Sequence, residues 1–295
     1  MCSVSFAPDG DGFILAMNRD ERLSRGAALP PEVFERDGLA VLCPRETTGG
    51  TWIGVNSARM AFSLLNWHSK PDCVTQNPVS RGEVVRALLQ TPSRVEATRE
   101  LKKLPLGRMN PFRLIVVSAA EPALVEWRSC DGELDALELP WKRNHWFSSG
   151  FDEARASRSR QRVCDRMAGE LFDLKTVRKL HRSHVPKAGP FSLCMHSRVA
   201  GTVSYAEISV RGNCARMYYV AGKPCSRAPR STSLLRLEPP DVFRRAAVSD
   251  AIDARGGTAK HEAILSIPPA NPPETYALLP GGRDAARPLS FDNCR

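Results

Sequence analysis

The chain has 295 residues, 42% hydrophobic and 25% charged, the make-up of a soluble globular protein with enough material for one large core. Its net charge of +10 is spread along the chain rather than massed, which speaks against a nucleic-acid partner, and no apolar stretch approaches the length of a membrane span. The nine cysteines form no C-x-x-C pair and no basic-then-apolar leader precedes them, a pattern that reads as reduced thiols in a cytoplasmic protein without a metal site or cofactor.

In chain order, short apolar runs at 2–6, 13–17, 39–43, 51–56 and 60–66 predict strands, separated by turn chemistry such as Pro8-Asp9-Gly10-Asp11-Gly12. Ser80 with Glu83 has the spacing of a capping box and starts a helix ended by Thr91-Pro92; a second helix is predicted over 93–103. Strands return at 112–118, 123–127 and 133–139, followed by helices over 152–172 and 174–184 and by strands at 191–195, 203–210 and 215–220. The run Arg155, Arg158, Arg160 and Arg162, interleaved with Ser157 and Ser159, reads as a solvated helix face. This order suits helices layered on antiparallel sheets, an α+β class. From residue 226 onward, 9 of 70 residues are Pro, which predicts a Pro/Arg-rich, disordered tail over 226–295 behind a domain of 1–225.

The chemistry starts at Cys2. Removal of Met1 would leave an α-amine and a thiol on one residue, and the amine, with an ordinary pKa of roughly 7.7 to 8, can take the thiol proton. Pairing of 2–6 with 13–17 through the Asp-Gly turn places Asn18-Arg19-Asp20-Glu21 near Cys2, where Asp20 can hold the ammonium and Arg19 can favour the thiolate.

Together with Met1-Cys2, the segments Asn18-Arg19-Asp20-Glu21, Gly49-Gly50-Thr51-Trp52-Ile53-Gly54 and Ser80-Arg81-Gly82-Glu83 resemble the NRDE family, also called the transport and Golgi organisation protein 2 family. The resemblance extends from Met1 to about Val220. It implies a four-layer αββα sandwich of the N-terminal-nucleophile (Ntn) hydrolase type with antiparallel sheets, related to the choloylglycine and penicillin acylase group. It also implies Cys2, Arg19, Asp20 and Asn66 as catalytic residues, Asn66 donating its amide to an oxyanion. Asn18, Glu21, Trp52, Trp67, Ser149 and Arg198 are then candidates for substrate binding. Two departures weaken the catalytic reading. Ser149 stands where choloylglycine-type enzymes have a further Asn, and Gly201 precedes Thr202 where related chains tend to have Arg.

Other groupings carry less. A Cys2/His68 dyad is unnecessary to Ntn chemistry, and Cys194 with His196 has no second pair visible to complete a metal site. Two functions compete: an amide hydrolase or acyltransferase cleaving a linear C–N amide through Cys2, and a non-catalytic carrier or chaperone of a hydrophobic ligand, haem or acyl-coenzyme A, as the family resemblance implies. The partner in either case is a small molecule.

Overall fold

The computed structural model describes residues 2–36, 38–167, 169 and 171–239. Two antiparallel sheets form its centre. One contains β1 (Cys2–Asp9), β2 (Gly12–Arg22), β10 (Asn144–Ser148), β11 (Ala200–Arg211), β12 (Cys214–Val220) and β13 (Arg230–Arg236) in the order β10-β1-β2-β11-β12-β13. The other runs in sequence order: β3 (Leu29–Arg36), β4 (Leu39–Arg45), β5 (Ile53–Asn56), β6 (Met60–Asn66), β7 (Phe112–Ser118), β8 (Ala123–Cys130) and β9 (Glu133–Leu139).

Strand alternation sends one set of side chains from each sheet into a shared core, in which Val4, Phe6, Phe13, Leu15 and Met17 meet Leu42, Ile53, Val55, Ile115 and Val117. The opposite faces are covered by helices. α1 (Gly82–Leu88) and α2 (Arg94–Lys103) pack Val84, Val85, Leu88 and Leu101 on Val41, Phe62 and Leu114. On the other sheet, α3 (Glu153–Arg166) and α4 (Leu174–His181) pack Val163, Cys164, Val177 and Leu180 on Ile14, Ala16 and Tyr205. The result is the expected αββα sandwich. Among the described residues no helix is long and apolar enough to cross a membrane.

Local chemistry explains most helix starts. Ser93, Asp152 and Asp173 each cap a helix by accepting a hydrogen bond from the backbone N–H three residues on. The box expected at Ser80 does not form: the helix begins at Gly82 without a side-chain cap, and Glu83 instead pairs with Arg86.

Two expectations fail for long-range reasons, and one strand was not foreseen. The apolar run 191–195 is no strand; its backbone is spent on irregular partners, with the Cys194 N–H donating to Ser183 O at 3.0 Å and Leu193 O accepting from Asn18. Leu29–Arg36 is a strand despite Pro30-Pro31, which an edge strand tolerates because one side of it needs no ladder. The boundary expected at 225 also falls inside the domain. β13 pairs with β12, Leu235 and Leu237 are buried, and Glu238 O accepts from Arg59 Nε at 3.1 Å. The remainder of the expected tail, 240–295, lies outside the described residues.

Candidate active site

Cys2 opens β1 between two neighbours, opposite Arg19 of β2 on one side and Ser148 of β10 on the other. Paired residues share a face, so Cys2 and Arg19 turn toward the space between the sheets, while Asn18 and Asp20 turn toward α3 and α4. Asp20 is wholly buried. Its Oδ1 accepts from Thr202 Oγ1 at 2.6 Å and its Oδ2 from Arg160 Nη2 at 3.3 Å. The same guanidinium donates through Nη1 to Cys2 O and Ser148 O, both at 3.2 Å, and so ties the candidate nucleophile's backbone to Asp20 and to β10.

Desolvation dominates the electrostatics here. Burial lifts the Asp20 carboxyl above its ordinary value by more than Arg160 and Thr202 pull it down. Burial likewise raises the Cys2 thiol, and the Asp20 carboxylate adds to the rise. The thiolate support expected from Arg19 is offset by its partners. Arg19 stacks over Trp52 at 4.2 Å, pairs with Glu46 and lies 3.7 Å from Glu21. Arg25 completes the network, 2.7 Å from Glu46 and 3.4 Å from Glu21.

Cys2 lines a cavity of about 220 Å³ together with Arg19, Glu21, Trp52, Asn66 and Arg81. A larger depression of about 1050 Å³ adjoins it, sharing Glu21, Arg25, Asn66 and Arg81 and adding His68 and Arg198. One wall depends on close backbone approach: a Cβ on Gly82 would lie 3.2 Å from Gly50 Cα, and the Thr51 N–H donates to Gly82 O at 3.3 Å. The glycines of two separate motifs thus bring Trp52 and Arg81 to the same cavity. Trp52 Nε1 is buried without a partner among the described residues.

Cys2, Arg19, Glu21, Trp52 and Asn66 line the smaller cavity and Asp20 and Arg198 the larger. Three expected substrate contacts stand elsewhere. Asn18 is a staple on the helical side, donating to His181 O at 2.9 Å and Leu193 O at 2.8 Å, because its position in β2 has the opposite parity to Arg19. Trp67 lines neither cavity and instead sits beneath Lys70 Nζ at 5.3 Å. Ser149 also lines neither; it is buried and accepts from the Phe151 N–H at 3.3 Å.

Residues that the sequence reading missed do much of the positioning. Arg160 belongs to the run read as solvated yet is fully buried. The signal was its spacing, since it shares the stripe of Ala156, Val163 and Cys164 on α3. Arg81, tethered to Pro111 O at 3.0 Å, borders both cavities. His68 borders only the larger, and burial draws its pKa down to about 4. Cys194 and His196 do have a second pair nearby, His184 and Cys225.

The sandwich and the buried N-terminal strand define the class: the fold is that of the Ntn hydrolases. The C2A mutant of conjugated bile acid hydrolase from Clostridium perfringens is similar over 82% of this chain and 94% of its own, at 10% identity and a TM-score of 0.50. Penicillin V acylase from Agrobacterium tumefaciens is similar over 80% of this chain and 86% of its own, at 11% identity and a TM-score of 0.47. Residues 1–149 match the family model described as Transport and Golgi organisation 2, and the chain belongs to that family. No curated protein matches it in sequence.

Proposed function

We propose that the chain is an Ntn amide hydrolase or acyltransferase acting on a linear C–N amide through Cys2. The observation that carries the reading is Arg160, which holds the Cys2 carbonyl and the Asp20 carboxylate with one buried guanidinium beside a cavity. Loss of Met1 would free the Cys2 amine at the start of β1. That amine would take the thiol proton as the sulfur attacks the substrate carbonyl, then pass it to the departing amine, leaving a thioester for water or a second nucleophile. A thiol raised by burial stays neutral until that transfer, so the base on the same residue governs its reactivity. Asn66, at the end of β6 and bordering both cavities, is the candidate oxyanion donor.

A second reading has its own observation. Arg22, Arg25, Arg81 and Arg198 surround the larger depression, an arrangement suited to the carboxylates or phosphates of a carried haem or acyl-coenzyme A. Intact mass would first establish whether Met1 is absent. The Met1-free protein is then assayed against a panel of acyl amides and for ligand binding, beside Cys2→Ala. Cleavage abolished by Cys2→Ala supports the enzyme; no cleavage, with equal haem or acyl-coenzyme A binding by both proteins, leaves the carrier.

A further inference from the structure

Behind the Asp20 support, on the helical side of the six-stranded sheet, four metal-ligating side chains converge from three segments. His184 follows α4, Cys194 and His196 lie in the loop before β11, and Cys225 lies between β12 and β13. Their donor atoms all lie within 4.8 Å of one another. Four of the six edges are 3.5 Å between the two sulfurs, 3.1 Å between the two Nε2 atoms, and 3.6 and 3.5 Å from His196 Nε2 to Cys194 and Cys225 Sγ; the two from His184 to the sulfurs lie within 4.8 Å.

We propose that these four residues form a structural zinc site. A tetrahedral ion with bonds of about 2.3 Å to sulfur and about 2.0 Å to nitrogen requires edges of roughly 3.8 Å for S–S, 3.5 Å for S–N and 3.3 Å for N–N. The four edges given fall within about 0.3 Å of those values. Without an ion, one imidazole Nε2–H can donate to the other Nε2, and the two thiols beside them are only weak donors. A divalent cation would instead take the lone pairs of two neutral imidazoles and two thiolates while both thiol protons leave to solvent. Two sulfur and two nitrogen donors in a tetrahedron favour zinc over the hard cations that prefer oxygen.

Four protein ligands leave no open position for substrate, so the site braces rather than catalyses. What it braces is specific. Met195, between two of the ligands, donates its N–H to Thr202 Oγ1 at 2.8 Å, and Thr202 in turn donates to Asp20. Leu193, on the other side, accepts from Asn18. The ion would pin the loop that seats the charged groups behind Cys2.

The test is elemental analysis of the full chain, purified without a metal-affinity step. One zinc per chain is expected, falling to a tenth or less in Cys225→Ser and His196→Asn and unchanged in Cys2→Ala. Cys225 is exposed, so its variant should keep its circular dichroism and elution volume. Should a variant fail to fold, cobalt is added to the chelator-treated parent protein, where the intense visible bands of a tetrahedral dithiolate centre are expected. The proposal is overturned by parent protein without zinc, by zinc retained in Cys225→Ser, by an octahedral cobalt spectrum, or by a Cys194–Cys225 disulfide in protein purified under reducing conditions.

Discussion

Arg160 and Asp20 meet at 3.3 Å with neither side chain exposed to solvent. Removing one member of such a pair strands the other charge in the interior, a loss of about 3–5 kcal/mol. Arg160→Met should therefore lower unfolding free energy by that amount, whereas Arg158→Ala, on the exposed side of α3, should stay within about 0.5 kcal/mol. Urea unfolding of both variants measures the difference; equal effects would return the whole run to the solvated face. Asp20→Asn strands Arg160 in the same way, so it is a poor probe of catalysis alone.

Asn66 offers a cleaner catalytic probe. It is half-buried and its side chain has no partner among the described residues, so Asn66→Ala should leave the melting temperature unchanged. If it donates to an oxyanion, turnover should fall roughly 10²- to 10³-fold. Steady-state kinetics beside a thermal melt separates the two; unaltered turnover on a cleaved substrate would remove Asn66 from the mechanism.

Thiol reactivity should depend on the N-terminus. With Met1 retained, iodoacetamide should alkylate exposed Cys73 well before Cys2, which is 7% exposed and whose thiol is raised by burial. Once Met1 is gone and the amine is at hand, the order should reverse. Peptide mapping of the two forms, separated by mass, shows which thiol reacts first.

A half-buried histidine and a fully buried one make stability depend on acid. Ser5 Oγ lies 2.9 Å from His145 Nδ1 and 3.0 Å from His181 Nε2, and burial draws these imidazoles down to about 4 and about 3. The folded protein refuses protons that the unfolded chain binds below about pH 6.5, so stability is full above that pH and is lost as pH falls toward 4. Each histidine contributes a slope of at most about 1.4 kcal/mol per pH unit in that window. Melts between pH 7.5 and about 5 should show the decline, and His145→Gln should flatten it. A parallel decline in the variant would assign the acid sensitivity elsewhere.

Truncation should locate the end of the domain. A chain ending at Pro239 keeps β13 and every described residue before it, and should remain folded. A chain ending at Cys225 removes β13 with buried Leu235 and Leu237, each worth roughly 1.5–3 kcal/mol, and should be severely destabilised. Equal melting of the two truncations would restore the earlier boundary.

What the sequence determined by itself is local. The Pro8–Gly12 turn and the apolar runs on either side of it set the register that puts Cys2 opposite Arg19, and Ser93, Asp152 and Asp173 carry their helix starts in their own side chains. Turns, caps and hydrophobic periods are written in neighbouring residues and gave helices layered on antiparallel sheets, while the four-layer sandwich was implied by the resemblance of the motifs to a family. Tertiary structure alone decided which groups are forced together out of water. Arg160 reads as one more surface arginine until α3 is laid on β1 and β2, and Asn18 reads as a substrate contact until strand parity turns it toward α4. Phe191–Met195 has the apolarity of a strand, but its backbone groups find partners in Ser183 and Asn18. His184, Cys194, His196 and Cys225 become neighbours only because β11 and β12 return their ends to α4. Such partners are far apart in the chain, and what selects them is the cost of leaving a buried charge, donor or lone pair unmatched, which no local pattern records.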